Sequence, residues 1–372
     1  MFITLGPIHA RATRWKKDNV YGFLAVHLIA ALAVFPWFFS WTGLILFIAG
    51  LFVFGILGIN LCFHRLLTHR GLVCPQWFEH SLALLGTCSL QFAPAHWVAV
   101  HRKHHHYADD DDDPHSPLVS FFWAHMGWLM VRTDSTNRKT LIERYAKDIM
   151  RDPFYVWLER RNNWMKVGLA SWIAYYAAGF AFVVASGGTT SAASQFGLSL
   201  IVWGAALRTV VVWHTTFSVN SWTHIWGYRN YETPDVSRNN TLIAWLTAGE
   251  GWHNNHHADP RSARHGHLQG EFDFTWMVIR YLRALGLARE VALPSPLLTE
   301  KFNHAAAQDS PCSGDAVKDS VYVLHRTLVV PGPERCFAAA QQSVAFGGIT
   351  DMVPTAPVTR ELPTSTKKAA RP

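Results

Sequence analysis

Residues 41–70 read WTGLILFIAGLFVFGILGINLCFHRLLTHR, and this stretch decides the fold. The 23 residues of 41–63 carry no Asp, Glu, Lys or Arg, enough to cross a ~30 Å hydrocarbon core, which needs about 20. His64 and His69 follow at the end of that run. The chain therefore reads as a membrane helix that delivers imidazoles to the edge of the bilayer.

Working outward, residues 20–39 form a second uncharged stretch, separated from the first only around Ser40. The two read as a tight helical hairpin with Pro36 near the turn. Residues 167–185 and 196–219 form another pair, joined by an uncharged linker at 186–191. Residues 81–100 are apolar as well. A crossing there would separate His64 from His101, so an interfacial or re-entrant segment is the more economical reading. Arg208 and His214 lie in the fourth span; they read either as functional intramembrane groups or as side chains snorkelling to the interface.

Arg11, Arg14, Lys16 and Lys17 precede the first span, and Arg160, Arg161 and Lys166 precede the third, while both hairpin tips lack Lys and Arg. The positive-inside rule then puts 1–19, the 64–166 segment and everything after about 220 on the cytoplasmic side. The expected architecture is an all-α integral membrane protein, multi-pass, with four transmembrane helices and a cytoplasmic helical cap. Its domain spans 20–290, and 291–372, rich in Ala, Ser, Thr and Pro, reads as a disordered tail.

Composition agrees with a membrane class. Hydrophobic residues make up 49% and charged residues 16%, against about 25% charged in soluble domains. The formal charge of +7 would suit nucleic acid or an anionic lipid surface; the apolar runs select the lipid and exclude the nucleic acid. The Cys form no C-x-x-C pair, which argues against a disulfide scaffold or a zinc ribbon.

Twenty-one His point to metal chemistry. His101-Arg102-Lys103-His104-His105 and His253-Asn254-Asn255-His256-His257 place imidazoles at i, i+3 and i+4, on one face of a helix. His64 and His69, at i and i+5, stand about 140° apart on an ideal α-helix, so they either serve different metals or straddle a helix end. These eight imidazoles exceed what one zinc ion uses, and imidazole alone does not choose among iron, zinc, copper and nickel. Glu-x-x-His occurs once, at Glu250–His253, so the ferritin-like arrangement, which repeats it, is disfavoured. Asp113 and Glu250 are candidate acceptors for the outer N–H of ligand imidazoles. Residues 109–113, five consecutive Asp, otherwise read as a solvated loop, and His106, His115 and His125 as supporting or structural. Trp97, Trp222 and Trp252 sit beside the boxes, where they either line a tunnel or pack the interface.

The boxes HRLLTHR, HRKHH and HNNHH resemble those of the membrane fatty acid desaturases, in particular the delta-9 acyl-CoA and acyl-lipid branch of bacterial and cyanobacterial type. Trp97, Asp113-Pro114-His115, Gly227-Tyr228-Arg229 and Asn220-Ser221-Trp222-Thr223-His224 extend the resemblance over about residues 15–290. The resemblance implies a non-haem di-iron centre that uses O2. It adds His224 as a ninth ligand imidazole and Asn220 as the holder of a metal-bound water. It also implies a fatty acyl-CoA or acyl-lipid substrate. Ala99-Val100 stand where animal acyl-CoA members carry an Arg-Asp pair, which makes an acyl-lipid a serious rival to the thioester. The His-Pro-Gly-Gly motif of a fused haem domain is absent from the sequence, so a separate donor of ferredoxin or cytochrome b5 type is expected. Two rival readings are a related hydroxylase or ketolase, separable by its product, and a metal transporter or storage protein, which would place ligands within the spans.

Overall fold

In this computed structural model residues 14–133 and 137–296 are described, all within the unit Met1–Ala316. Most of the expected 291–372 tail and of the 1–19 segment thus lies outside the described residues. Among the described residues four helices are long and apolar enough to cross a membrane.

α1 spans Lys17–Ala31 and continues as a tight turn to Val34. It starts earlier and stops sooner than the 20–39 stretch. Phe35 is extended and Pro36 opens a separate turn, because proline lacks an N–H and biases the residue before it away from helix. α2 spans Trp41–Thr68; Ser40 Oγ caps it, accepting from Gly43 N at 2.9 Å. Its last part, Leu51–Thr68, has π geometry and runs beyond 63 to carry the first imidazole.

Residues 81–100 do not form one helix. α3 (Gln76–Thr87) and α4 (Pro94–His106) are separated by a break in which Leu90 and Phe92 have left-handed backbones. Neither helix reaches the about 20 residues of a span. The carbonyls freed at the break find donors on one of the four long apolar helices: Arg208 Nη1 donates to Cys88 O at 2.9 Å and Trp213 Nε1 to Ser89 O at 2.7 Å. Arg208 therefore does not snorkel. It is fully buried, with its guanidinium 4.1 Å from the centre of the Phe54 ring, and satisfies backbone that water cannot reach.

α3 lies against α2 where Gly58 meets Gly86. A Cβ on Gly58 would come within 2.5 Å of Gly86 N, a backbone atom that cannot move aside. Gly58→Ala should therefore lower the thermal midpoint in detergent, by about 1–3 kcal/mol of stability or more; an unchanged midpoint would contradict this packing.

The short helices α5 (Arg138–Tyr145) and α6 (Pro153–Glu159) precede α7 (Asn163–Ala185). Left-handed Arg161 and Asn162 break the chain just before α7, so it begins at Asn163 rather than 167. α8 (Thr190–Trp222) contains a π segment, Ile201–Leu207. His214 on α8 bridges His27 on α1 (Nε2 to Nε2, 3.0 Å) and His125 (Nδ1 to Nε2, 2.9 Å), a polar tie between helices of the kind lipid surroundings favour. Three shorter helices follow, α9 (Thr241–Leu246), α10 (His253–Ala258) and α11 (Phe274–Ala284). A two-residue antiparallel pair, β1 (Arg14–Trp15) with β2 (Val131–Arg132), and three isolated bridges, Val73 with Arg289, Tyr228 with Asn239 and Asn239 with Trp252, are the β structure among the described residues.

Candidate metal centre

Each box is held by a different local device. In the π-helical end of α2, His69 N donates to His64 O at 3.2 Å, an i+5 to i bond. Five residues then close a turn, and the two rings that an α-helix would splay come to 4.9 Å apart. α4 presents His101, His104 and His105 from one regular helix. α10 has only six residues, too few to stand alone. The asparagines inside its box pin it: Asn254 Oδ1 accepts from the backbone N of Asn230 and Tyr231, both at 2.8 Å, and Asn255 Nδ2 donates to His265 O at 2.9 Å and Glu271 Oε2 at 2.7 Å. Gly249 leads into this turn with φ +117, a conformation open mainly to glycine.

The imidazoles converge into two adjacent groups. His64, His69, His101, His105 and His256 form one; His104, His224, His253 and His257 form the other; within each, the candidate ligand atoms lie within 4.8 Å of one another. Ring nitrogens face each other directly: His64 Nε2 to His256 Nε2 at 3.2 Å, His256 Nε2 to His105 Nε2 at 2.9 Å, and His253 Nε2 to His224 Nε2 at 3.0 Å. His69 Nε2, His104 Nε2 and His257 Nε2 are buried without a hydrogen-bond partner. A cation between them would satisfy inward ring nitrogens that are buried and crowded in this way. This donor set fits two metal ions, and all-imidazole coordination suits a first-row transition metal.

Carboxylates fix the outer nitrogens. His64 Nδ1 donates to Glu250 Oε2 at 2.5 Å, His104 Nδ1 to Asp113 at 3.0 Å, His224 Nδ1 to Asp109 Oδ2 at 3.0 Å and His257 Nδ1 to Asp235 Oδ2 at 2.8 Å. Asp113 and Glu250 thus stand where the sequence places acceptors. Asp109 does not belong to a solvated loop: its backbone turns left-handed at φ 65 and its carboxylate faces inward. Asp235 carries no sequence signal at all; it is a lone carboxylate in an irregular segment. Burial pushes the Asp113 carboxyl up, but His104 and then His115 hold it well below the ordinary range. For Glu250 burial is again outweighed, by Arg65 first and then by His265 and His64. Burial, and after it the neighbouring imidazoles, keeps His69, His101, His105, His253 and His256 far below the ordinary histidine value. These rings are neutral at physiological pH, as ligands must be.

Arg65 and His265 also escape sequence reasoning. Arg65 Nε and Nη2 donate to Glu250 Oε1 at 3.1 and 2.8 Å, and Nη1 and Nη2 to Asp273 at 2.9 and 3.0 Å, with the guanidinium fully buried. His265, buried, lies 3.3 Å from Glu250 Oε2 through Nδ1.

Two cavities meet at the imidazoles. One, of about 440 Å³, runs between α1, α7 and α8; the other, of about 460 Å³, runs between α2, α8 and α9. Trp97, His101, Thr216 and Asn220 line both. At their junction Gln91 Nε2 donates to Thr216 Oγ1 at 3.1 Å, and Trp97 stacks on His101 with centroids 5.1 Å apart. Trp222 and Trp252 line neither. Trp222 is exposed against Trp226 and Phe121, while Trp252 is core, its Nε1 donating to Phe272 O at 2.9 Å. A third, basic cavity of about 970 Å³ includes Arg14, Lys16, Lys17, Arg132 and Arg138 in its wall and shares Asp18, Asn19, Phe92, Trp164 and Met165 with the first.

Residues 39–269 match the family model of the fatty acid desaturases. An sn-1 stearoyl-lipid 9-desaturase of Synechocystis sp. is 39% identical over 74% of this chain and 80% of its own length. An sn-2 palmitoyl-lipid 9-desaturase of Nostoc sp. is 36% identical over 79% of this chain and 96% of its own. An icosanoyl-CoA 5-desaturase of Limnanthes douglasii is 38% identical over 78% and 76%. With two groups of converging imidazoles at the junction of two apolar cavities, this chain belongs to the fatty acid desaturase family and is an oxidoreductase of fatty acyl chains.

Proposed function

We propose that the protein introduces a cis double bond, at the delta-9 position, into a saturated acyl chain carried by a membrane lipid, using O2 and two electrons at a pair of non-haem irons. The observation that carries this reading is the convergence of nine imidazoles in two groups beside an apolar path. His64, His69, His101, His105 and His256 would hold one iron. His104, His224, His253 and His257 would hold the other, with Asn220 placed to hold a metal-bound water. When bound, the metal pair supplies, with O2, an oxidant strong enough for unactivated methylene groups.

The chain's own residues do the rest. The first cavity takes the carboxyl half of the acyl chain and the second the methyl half. Trp97, Gln91 and Thr216 set the bend between them beside His101. The apolar walls exclude water from the reacting carbons. Gly55 lines the second cavity, where an added Cβ would stand 3.3 Å from Val212. Gly55→Phe should shift the product profile toward shorter chains, by about tenfold or more for each methylene displaced. An unaltered chain-length profile, read by gas chromatography, would put the methyl end elsewhere.

The basic cavity at the outer end of the first favours a carrier with phosphate. Ala99-Val100 beside the second box, and the lipid-desaturase names of the Synechocystis and Nostoc relatives, favour a phospholipid over acyl-CoA. The four long helices span the bilayer with the domain at about 20–290, and the histidine centre faces the cytoplasm, where a separate ferredoxin or cytochrome b5 type protein delivers electrons. Expression in a host lacking unsaturated fatty acids tests the carrier. New double bonds should appear first in phospholipid. Their first appearance in the acyl-CoA pool would overturn the lipid assignment, and their absence would overturn the function.

A further inference from the structure

The two imidazole groups are not electrostatically alike. Three of the four imidazoles in the smaller group donate to carboxylates: His104 to Asp113, His224 to Asp109 and His257 to Asp235. Backbone amides also donate to those carboxylates, Asp109 N and His115 N to Asp113, Val236 N to Asp109 and Ser237 N to Asp235, the last joined by the Thr233 hydroxyl. Among the described residues the larger group has one such carboxylate, Glu250 on His64, and its other oxygen is taken by the Arg65 guanidinium. Lys103 lies near Asp113, and Arg102, near His69, is itself paired with Asp148 at 2.7 Å, so neither cation removes the imbalance.

A carboxylate behind an imidazole makes it a stronger donor, and nearby negative charge stabilises the more highly charged metal ion in a poorly screened interior. We propose that Asp109, Asp113 and Asp235 are positioning residues that make the four-imidazole group the stronger holder of ferric iron, so that the first electron goes to the five-imidazole group. In that step one electron from the external donor converts one ferric ion to ferrous. The ion behind the three aspartates stays ferric, and no bond or proton is exchanged. This rests on the proposed pair of irons.

The test uses the full chain loaded with enriched iron-57, reduced by one electron per chain and read by Mössbauer spectroscopy, with iron counted separately. The expected spectrum has ferrous and ferric components of equal area. Asp235→Asn should change the ferric component and leave the ferrous one in place, and Glu250→Gln should do the reverse. Each aspartate removed should weaken the preference about tenfold, or about 59 mV for a one-electron couple. Asp109→Asn serves as the second variant where Asp235→Asn loses iron. A single averaged valence, or an Asp235→Asn change confined to the ferrous component, overturns the inference while leaving the iron pair intact. An iron count below two per chain overturns the metal reading itself, and the inference with it. A purely structural role for the aspartates would disturb both components together.

Discussion

Replacing His257 with alanine should abolish double-bond formation and strip metal from the four-imidazole group. His257 Nε2 is buried with no protein partner, its Nδ1 is fixed by Asp235 at 2.8 Å, and its ring lies 4.4 Å from that of His105 in the other group. It is therefore held at the seam between the two imidazole groups. Alanine leaves one group with three imidazoles and Asp235 without its donor. Changing only the outer partner of a ligand costs about 10–100-fold in affinity or activity, and losing the ligand itself costs more. The check is fatty-acid profiling together with iron counted per chain. His257→Ala protein that retained both its iron and a measurable desaturation product would remove His257 from the centre. Asp235→Asn, which keeps the ligand, should fall between this variant and the wild type.

The second large effect is on stability. Arg65 is sealed between Glu250 and Asp273, and its Nη1 also donates to Ala263 O at 2.8 Å. Asp273 in turn caps α11, accepting from Trp276 N at 2.9 Å, and accepts from His265 N at 2.8 Å. Arg65→Met would leave two buried carboxylates facing one another with no counter-charge. Breaking a buried pair by removing one partner costs about 3–5 kcal/mol, a large part of the about 5–15 kcal/mol that holds a typical domain together. The variant should express poorly and melt well below the wild type in detergent. Adding Glu250→Gln and Asp273→Asn should recover much of the loss, since the charges left stranded are then gone. An Arg65→Met protein with wild-type melting would show that the network does not hold the third box against the first.

The long apolar helices and the boxes were legible in the sequence because both depend on local pattern: uncharged length for the helices, i, i+3 and i+4 spacing for His101–His105 and His253–His257. Helix ends were less so, because proline at 36 and the left-handed pair at 161–162 act through backbone geometry that hydropathy does not register. The i, i+5 spacing of His64 and His69 left two readings open, and the π geometry of Leu51–Thr68 gathers both rings into one group. Asp113 and Glu250 were legible from their closeness to the boxes. Asp109 was hidden by its acidic neighbours and by the 115 positions between it and His224, Arg65 by the 185 between it and Glu250, and Asp235, 22 positions from His257, by standing alone in an irregular segment. Long-range partners of this kind are set by tertiary packing, and composition carries no trace of them. Trp222 and Trp252 show the converse, since standing beside a ligand in sequence places neither on the cavities.

The most direct test of the central claim is single-turnover chemistry of the purified, iron-loaded protein with a saturated acyl phospholipid, O2 and a chemical reductant, read by mass spectrometry of the acyl chain. The account predicts a chain that has lost two hydrogens, with its double bond between the ninth and tenth carbons, and O2 consumed in step with product. An acyl chain that has gained an oxygen atom instead, or a metal-loaded protein that consumes no O2, would contradict it.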